Sequence, residues 1–159
     1  MTGTARPPAA TDDAVQCSRA IRALRATAAH VDRMVAHALD PHNLTPAQFI
    51  ALQVLHDAAA ESLGCSELGK RLSGPAPDIT RLLDRLETAG LVSRDRDRND
   101  RRMVHTHITH AGTKRLREAT PSVTAAEERA LADLGRAERM LFTDLLVSVK
   151  RKCPGATEK

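Results

Sequence analysis

The sequence predicts a mainly α-helical protein with a small β-hairpin: a winged helix-turn-helix between terminal helices that form a dimerisation domain. Three observations predict this fold. Apolar residues near both ends of the chain recur in alternating steps of three and four, as on one helix face. Two short amphipathic segments in the middle are separated by a turn rich in Gly and Pro. The charged run RDRDRNDRR at residues 94–102 has short apolar stretches on both sides.

The composition and the motifs of the chain give no sign of a catalytic site. The 159 residues carry a formal net charge of +4, and this mild basicity is compatible with a nucleic-acid partner. Three cysteines without CxxC spacing argue against a disulfide framework and a zinc site. Motifs of the GxSxG, P-loop and HExxH types do not occur. We therefore expect no catalytic site, no cofactor and no metal.

The beginning of the chain gives no indication of export or membrane insertion. The stretch MTGTARPPAATDD contains no apolar segment of the kind found in a signal peptide. Elsewhere, no apolar run approaches the roughly 20 residues that span a bilayer. We expect a cytoplasmic protein with no membrane partner. Residues 1–12, which lack periodicity, are predicted to form a disordered tail.

A long helix is predicted from Asp13 to Leu39. Its apolar residues form a seam of period 3.5, typical of a helix that packs along a partner helix. The members of this seam are Cys17, Ile21, Leu24, Ala28, Val31, Val35 and Ala38. Because a small core is unable to cover so long a seam, we assign residues 13–43 to a dimerisation region that ends at the helix-breaking sequence DPHN.

Residues 44–110 are predicted to form the winged helix-turn-helix. Thr45, Pro46 and Gln48 are typical of a helix start with a capping box, and the helix that follows is apolar enough to be buried. The segment CSELGKRL predicts a second short helix. After the turn SGPAP, the segment PDITRLLDRLETAG predicts a third helix, which ends at Gly90. One face of this third helix carries Ile79, Leu82, Leu83 and Leu86.

Short strands are predicted on both sides of the charged run. Residues 91–93 precede it, and VHTHIT at residues 104–109 alternates between two faces. The run at residues 94–102 is then the tip of a hairpin beside the helix-turn-helix, an arrangement called a wing. A solvated loop is the alternative, but it does not explain why five arginines cluster there.

The C-terminal part of the chain is again helical. Thr109 is predicted to cap a helix that starts near Ala111, and Pro121 is expected to kink or interrupt this helix. A second apolar seam on it consists of Leu116, Ala119, Val123, Ala126 and Ala130. Because one small core is not expected to cover both seams, we expect this seam also to pack against a second chain. A last apolar helix contains Leu141, Phe142, Leu145, Leu146 and Val149. We assign residues 111–152 to the dimerisation domain and residues 153–159 to a flexible tail.

The middle of the chain resembles the MarR family of bacterial transcriptional regulators. LTPAQFIALQVL and CSELGKRL look like the family's second and third helices, and PDITRLLDRLETAGLVSR looks like its recognition helix running into the wing. DRNDRRMVHTHITHAG matches the wing signature, D-x-R followed by an apolar strand and a T-x-x-G helix start. The resemblance implies a homodimer, either a repressor or an activator, that binds double-stranded DNA at a palindromic operator. It also implies release by a small-molecule effector or an oxidant.

Candidate DNA contacts follow from the chemistry of the major groove, which accepts an α-helix whose N-terminal side chains reach base edges. On the third helix of the module, these side chains belong to Pro77, Asp78, Thr80 and Arg81. Arg85, one turn later, and Ser73, at the turn, are candidates for phosphate contacts.

The wing supplies the remaining candidates. The narrow, negative minor groove favours an arginine side chain. In the family's D-x-R pattern, which falls here on Asp100 and Arg102, the aspartate holds the arginine and the arginine enters this groove. Arg98 is the further wing candidate, as a phosphate contact.

Two alternatives stay open. Some family members sense oxidants through a cysteine on the first helix, a position held here by Cys17, but those sensors use tyrosines and this chain has none. We expect Cys17 to act as a small apolar residue of the core. The other alternative is a winged-helix module that docks a protein partner, although such a module has no need of the pair Asp100 and Arg102.

Overall fold

The computed structural model describes residues 11–58, 63–72, 79–96 and 104–152. The helices are α1 (Asp12–Leu39), α2 (Pro46–Asp57), α3 (Cys65–Arg71), α4 (Ile79–Thr88), α5 (His110–Ala130) and α6 (Arg136–Lys152). The strands are β1 (Leu63–Gly64), β2 (Val92–Arg96) and β3 (Val104–Ile108), and a short 3₁₀ turn (Asp40–His42) follows α1. This order confirms the mainly helical fold with a winged helix-turn-helix at its centre. The two predicted tails, apart from residues 11 and 12, lie outside the described residues.

The sheet contains one strand more than the predicted hairpin. Its order is β1-β3-β2, with both pairs antiparallel. The additional strand β1 has only two residues, and Leu63 pairs with Thr106. A strand this short has no period-two pattern, so the sequence contains no signal for it.

The charged run is not entirely a hairpin tip. Strand β2 extends to Arg96, so that Arg94, Asp95 and Arg96 pair with β3. The assignment of these three residues to the tip is therefore wrong. The backbone hydrogen bonds with β3 outweigh the low strand propensity of charged side chains, which depends strongly on context. Residues 97–103 lie outside the described part of the chain.

The hydrophobic core lies where the helix-turn-helix meets α5 and the end of α1. Its most deeply buried large side chains are Leu39, Leu52, Leu68, Leu83 and Leu86. The α5 seam contributes to this same core through Leu116, Ala119, Val123 and Ala126. The expectation that this second seam needs another chain is therefore wrong for most of its length, because α1 and α2 already cover it.

Helix α5 continues through Pro121. It runs for 21 residues, from His110 to Ala130, so the proline does not interrupt it. A proline inside a helix removes one hydrogen bond and costs about 3 kcal/mol. Burial of Ala119 and Val123 on the opposite side offsets this cost, and Pro121 itself is exposed.

The predicted helix ends are confirmed by their hydrogen bonds. The amide of Gln48 donates to Thr45 Oγ1 over 3.3 Å, and the amide of Thr45 donates to Gln48 Oε1 over 2.9 Å, which is a complete capping box. At the end of α4, Gly90 has a φ of 69°, and the amide of Leu91 donates to the carbonyl of Leu86. This left-handed turn favours glycine and directs the chain into β2.

The first half of α1 and the whole of α6 are poorly packed within a single chain. Leu39 is the one buried residue of α1, and none of the described side chains of α6 is buried. Cys17 is exposed, so its assignment to the core is wrong for the single chain. The reason is that α5 lies against the later part of α1 and leaves the turn that carries Cys17 uncovered. None of the helices in the described residues is both long enough and apolar enough to cross a membrane.

Candidate nucleic-acid interface

The orientation of α4 follows from its apolar face. Leu82, Leu83 and Leu86 are buried against the core, which fixes the helix about its own axis. The opposite face is polar and exposed, and it consists of Thr80, Arg81, Asp84, Arg85 and Thr88. The burial of these three leucines agrees with the apolar face that the sequence predicts for this helix. An exposed polar helix of this kind has the shape and chemistry that the major groove accepts.

The structure describes part of the predicted DNA site. Thr80, Arg81 and Arg85 lie together on the exposed face of α4. The remaining candidates lie outside the described residues, namely Ser73, Pro77, Asp78, Arg98, Asp100 and Arg102.

A group of three charged residues joins α4 to the wing. The guanidinium of Arg94, on β2, lies 2.6 Å from Asp84 Oδ1, and its Nε donates to Glu87 Oε2 over 2.8 Å. A second nitrogen of the same guanidinium also contacts Glu87. The Arg94 side chain is 23% exposed, against 51% for Asp84. The hydrogen bond to Glu87 is the largest of several effects that raise the pKa of Arg94, followed by an opposing effect of burial.

Sequence reasoning missed this cluster, although a signal for it exists. Val92 is buried, and side chains two residues apart along a strand share a face. Arg94 must therefore point to the same side as Val92, towards α4. It lies opposite the buried Thr106 on β3, which places it over the inner face of the sheet. Assigning Arg94 to the wing tip concealed this alternation.

The base of the wing is attached to α5 by a second contact. Thr109 Oγ1 accepts a hydrogen bond from the amide of Gly112 over 3.0 Å, and it donates one to the carbonyl of Gly90 over 2.8 Å. The amide of Thr109 donates to the carbonyl of Leu91 over 3.1 Å. The end of α4 and the start of α5 are thus hydrogen-bonded through one threonine, which connects the recognition helix to the long helix behind it.

Two clefts adjoin these elements. A cleft of about 560 Å³ between α2 and α5 is lined by polar side chains that include Gln53, His56 and Thr120. A second cleft, of about 500 Å³, lies between α1, α5 and α6 and is mostly apolar, with Val31 and Phe142 among its walls. Within the described residues, no group of three His, Cys, Asp or Glu side chains is arranged to hold a metal ion.

Comparison with known proteins agrees with this geometry. The model of the MarR family matches residues 44–104, from the approach to α2 to the start of β3. The transcriptional regulator TtmR of Methylorubrum extorquens is 33% identical over 142 residues, which are 84% of this chain and 70% of TtmR. The transcriptional repressor YetL of Bacillus subtilis is 28% identical over 73% of this chain and 70% of YetL, and the transcriptional repressor MprA of Escherichia coli is 33% identical over 65% of this chain and 57% of MprA.

Solved structures show the same fold. A cysteine-to-serine mutant of MarR from E. coli, in complex with operator DNA, superposes with a TM-score of 0.74 and 29% identity, covering 80% of this chain and 91% of that one. BpsR of Bordetella bronchiseptica, whose DNA binding is regulated by 6-hydroxynicotinic acid, has a TM-score of 0.75 and 22% identity, covering 83% of this chain and 98% of its own. The winged helix-turn-helix, its exposed α4 and the similarity to TtmR along most of both chains lead to one conclusion: this chain belongs to the MarR family and is a DNA-binding transcriptional regulator.

Proposed function

We propose that the protein is a homodimeric repressor that binds a palindromic operator and releases it when a small molecule binds. The observation that carries the proposal is the exposed polar face of α4, held beside the wing strand β2. In the proposed complex, α4 lies in the major groove and the wing reaches the adjacent minor groove. The protein has no catalytic role, and because its target is the chromosome it works in the cytoplasm.

Uncovered apolar surface at the ends of the chain supports a homodimer. In the described residues, most of the large apolar side chains that are exposed lie on α1 or α6, namely Val15, Ile21, Met140, Leu141, Leu145, Val147 and Val149. Exposure of Leu141 is 61%, a high value for an aliphatic side chain on a helix face. Contiguous apolar surface of this kind marks an interface, and most of the stability of a helix in a protein comes from the packing of its apolar face.

A second copy of the chain is the occupant that fits this surface. The apolar cleft between α1, α5 and α6 adjoins the exposed side chains of both terminal helices. One surface patch that contacts its own copy produces a two-fold axis. A two-fold axis presents two copies of α4 to the DNA, which is why the proposed operator is a palindrome.

The proposed contacts with bases and phosphates combine the described residues with the family motif. Thr80 and Arg81 are proposed to reach base edges, and Arg85 a phosphate, because all three share the exposed face of α4. Pro77, Asp78 and Ser73 precede this face in the sequence. In the wing, Arg102 is proposed for the minor groove with Asp100 as its holder, and Arg98 for a phosphate, on the strength of the D-x-R pattern alone.

The cleft between α2 and α5 is the proposed effector site. Its wall includes Thr113, whose hydroxyl donates to the carbonyl of Thr109 over 3.1 Å. Thr109 in turn is hydrogen-bonded to Gly90 at the end of α4. A ligand that moves α5 relative to α2 therefore displaces α4 as well. Regulation of BpsR by 6-hydroxynicotinic acid supports effector control as a class of mechanism on this fold.

Footprinting tests the DNA-binding proposal. The purified full chain is expected to protect a palindromic segment of the DNA upstream of its own coding region, with two half-sites on one face of the duplex about one helical turn apart. Protection of a single half-site, or of no preferred sequence, would contradict the proposal.

A ligand screen tests the effector site. Small fragments that raise the melting temperature of the wild type are expected to lower its affinity for the protected duplex. Thr120→Trp, which places a large side chain in the cleft from an exposed helix position, should abolish both effects. If the fragments change the melting temperature and the DNA affinity of Thr120→Trp as much as those of the wild type, the effector binds elsewhere.

A further inference from the structure

Arg94 connects two elements that the backbone joins at one point only. Between α4 and β2 the chain makes a tight turn at Gly90, and a turn fixes where two elements meet but not the angle between them. Arg94 contacts Asp84 and Glu87, which lie one helical turn apart on α4. Its planar guanidinium is well suited to hold two carboxylates at once. The Arg94 contacts are therefore a second attachment between the recognition helix and the wing strand.

We propose that Arg94 is a positioning residue for DNA recognition, which holds the wing strand β2 at a set angle to α4 so that both elements engage the same stretch of DNA. The inference rests on the proposed function of α4 and the wing as the two DNA-contacting elements. Arg94 itself is not required to touch DNA, because its guanidinium is already occupied by two carboxylates.

The cluster of Arg94, Asp84 and Glu87 affects the orientation of the wing more than it affects the free energy of unfolding. Asp84 and Glu87 remain partly exposed, at 51% and 39%, and ion pairs in such surroundings add little to the free energy of unfolding. A wing without a set orientation, by contrast, must be ordered when DNA binds, and this loss of entropy lowers the affinity. Removing Arg94 should therefore weaken specific DNA binding while the protein stays folded.

Asp84 gives a prediction whose sign distinguishes positioning from simple electrostatics. Its carboxylate lies on the exposed face of α4, beside Arg81 and Arg85. If only charge mattered, Asp84→Asn would remove the repulsion between this carboxylate and the DNA phosphates and would tighten binding to any DNA. If Arg94 needs Asp84 to hold the angle, the same substitution weakens binding to the preferred duplex.

The experiment uses the full chain and the duplex that the wild type enriches from a random DNA library. Arg94→Gln is expected to lower the ratio of specific to non-specific affinity by about tenfold or more, as if a misplaced wing had lost one of its own good contacts with DNA. Arg94→Lys, which keeps the charge but not the planar fork, should give an intermediate loss. The matched control is Lys114→Gln, which removes the same charge from the exposed pair of Lys114 with Glu118 on α5. This control should leave the ratio unchanged.

Charge reversal separates positioning from general structural damage. These variants are made in the Asp84→Asn background, because Asp84 would otherwise repel a glutamate at position 94. In that background, Glu87→Arg and Arg94→Glu should each lower the affinity ratio, and the double variant should recover part of the loss because the pair between positions 87 and 94 is restored with opposite polarity. Melting temperatures of all variants should stay close to that of the wild type. Failure of the double variant to recover, with folding intact, would overturn the proposal.

Hydrogen exchange supplies a readout that needs no DNA. Backbone amides of residues 92–95 should exchange several-fold faster in Arg94→Gln than in the wild type or in Lys114→Gln. If neither hydrogen exchange nor the affinity ratio changes in Arg94→Gln, the positioning role of Arg94 is wrong while the proposed DNA-binding function still stands. A wild type that enriches no sequence at all would instead overturn the proposed function, and the two failures are therefore distinguishable.

Discussion

At the scale of single residues, Gly112 shows how closely the wing and α5 approach each other. A Cβ atom at this position would lie 2.1 Å from the carbonyl oxygen of Leu91 and 2.8 Å from Cγ1 of Ile108. The φ of Gly112 is not in the left-handed region, so glycine is needed here for space and not for backbone freedom. The T-x-x-G sequence at residues 109–112 therefore combines a helix cap with a close contact.

Gly112→Ala is expected to reduce the free energy of unfolding by about 1–3 kcal/mol, the usual cost of forcing a group into a packed site. Urea denaturation measures this loss. Gly135→Ala is the matched control, because the nearest atom to its new Cβ is the end of the flexible Glu138 side chain, at 3.4 Å. If both variants lose the same stability, the close contact at Leu91 is not what requires a glycine.

Cys17 is the residue on which the redox alternative depends. It is exposed in the single chain, and in the proposed dimer it lies on the seam of α1, among apolar side chains. Without tyrosines in the chain, the arrangement of known cysteine sensors in the family is not reproduced. Cys17→Ser should therefore leave the response of DNA binding to peroxide unchanged, as measured by electrophoretic mobility shift. If peroxide releases the wild type from DNA but does not release Cys17→Ser, Cys17 is an oxidant sensor.

At the scale of elements, α4 and α6 differ in what holds them in place. Helix α4 buries three leucines and is oriented by its own chain. Helix α6 has no buried side chain among those that the structure describes, and exposed apolar residues recur along it. In the proposed complex the two helices have separate tasks, since α4 contacts DNA and α6 contacts a second copy of the protein.

Leu141→Glu combined with Leu145→Glu should shift the protein from dimer to monomer, because both side chains are more than half exposed in the single chain and charges at their positions oppose contact with an apolar partner. Analytical ultracentrifugation measures the change. The control is Ile50→Glu, another exposed aliphatic side chain, which lies on α2 and away from the proposed interface. An equal effect of the control would mean that α6 is not the dimer contact.

At the scale of the whole molecule, the DNA-binding elements and the dimer elements are connected through α5. Its N-terminal turn is hydrogen-bonded to the end of α4, while its middle packs against α1 and α2. In the proposed dimer, a change in the relative position of the two copies would therefore change the spacing of the two recognition helices. This continuity is the physical basis on which an effector is proposed to release the operator.

The proposed role of Arg102 in the wing concerns operator binding by the complete dimer. Arg102→Ala should weaken operator binding by about 1–3 kcal/mol, as expected for a specific contact. It should also reduce the slope of log K against log salt by about one unit per protomer. Titrations at several salt concentrations measure both. Asp100→Ala should weaken binding too if Asp100 orients Arg102, although the variant carries less negative charge, and tighter binding would exclude that role.

Most of the architecture is predictable from the sequence because its signals are local. The capping box at Thr45, the left-handed Gly90 and the apolar face of α4 each depend on residues within a few positions of one another. The hairpin of the wing was likewise predictable, since short apolar stretches on both sides of the charged run indicate its strands β2 and β3. From the resemblance in this middle region the DNA-binding role also follows.

Other features depend on contacts between distant parts of the chain, and local patterns do not record them. Strand β1 exists because Leu63 meets Thr106 across the sheet, and the α5 seam is covered by α1, far away in sequence. Arg94 has the same charge as its neighbours in the run, yet its pairing with Asp84 and Glu87 depends on where α4 ends relative to β2. Periodicity shows that a helix face needs a partner, but the tertiary structure decides which partner covers it, because burial is a property of the packed chain and not of the segment.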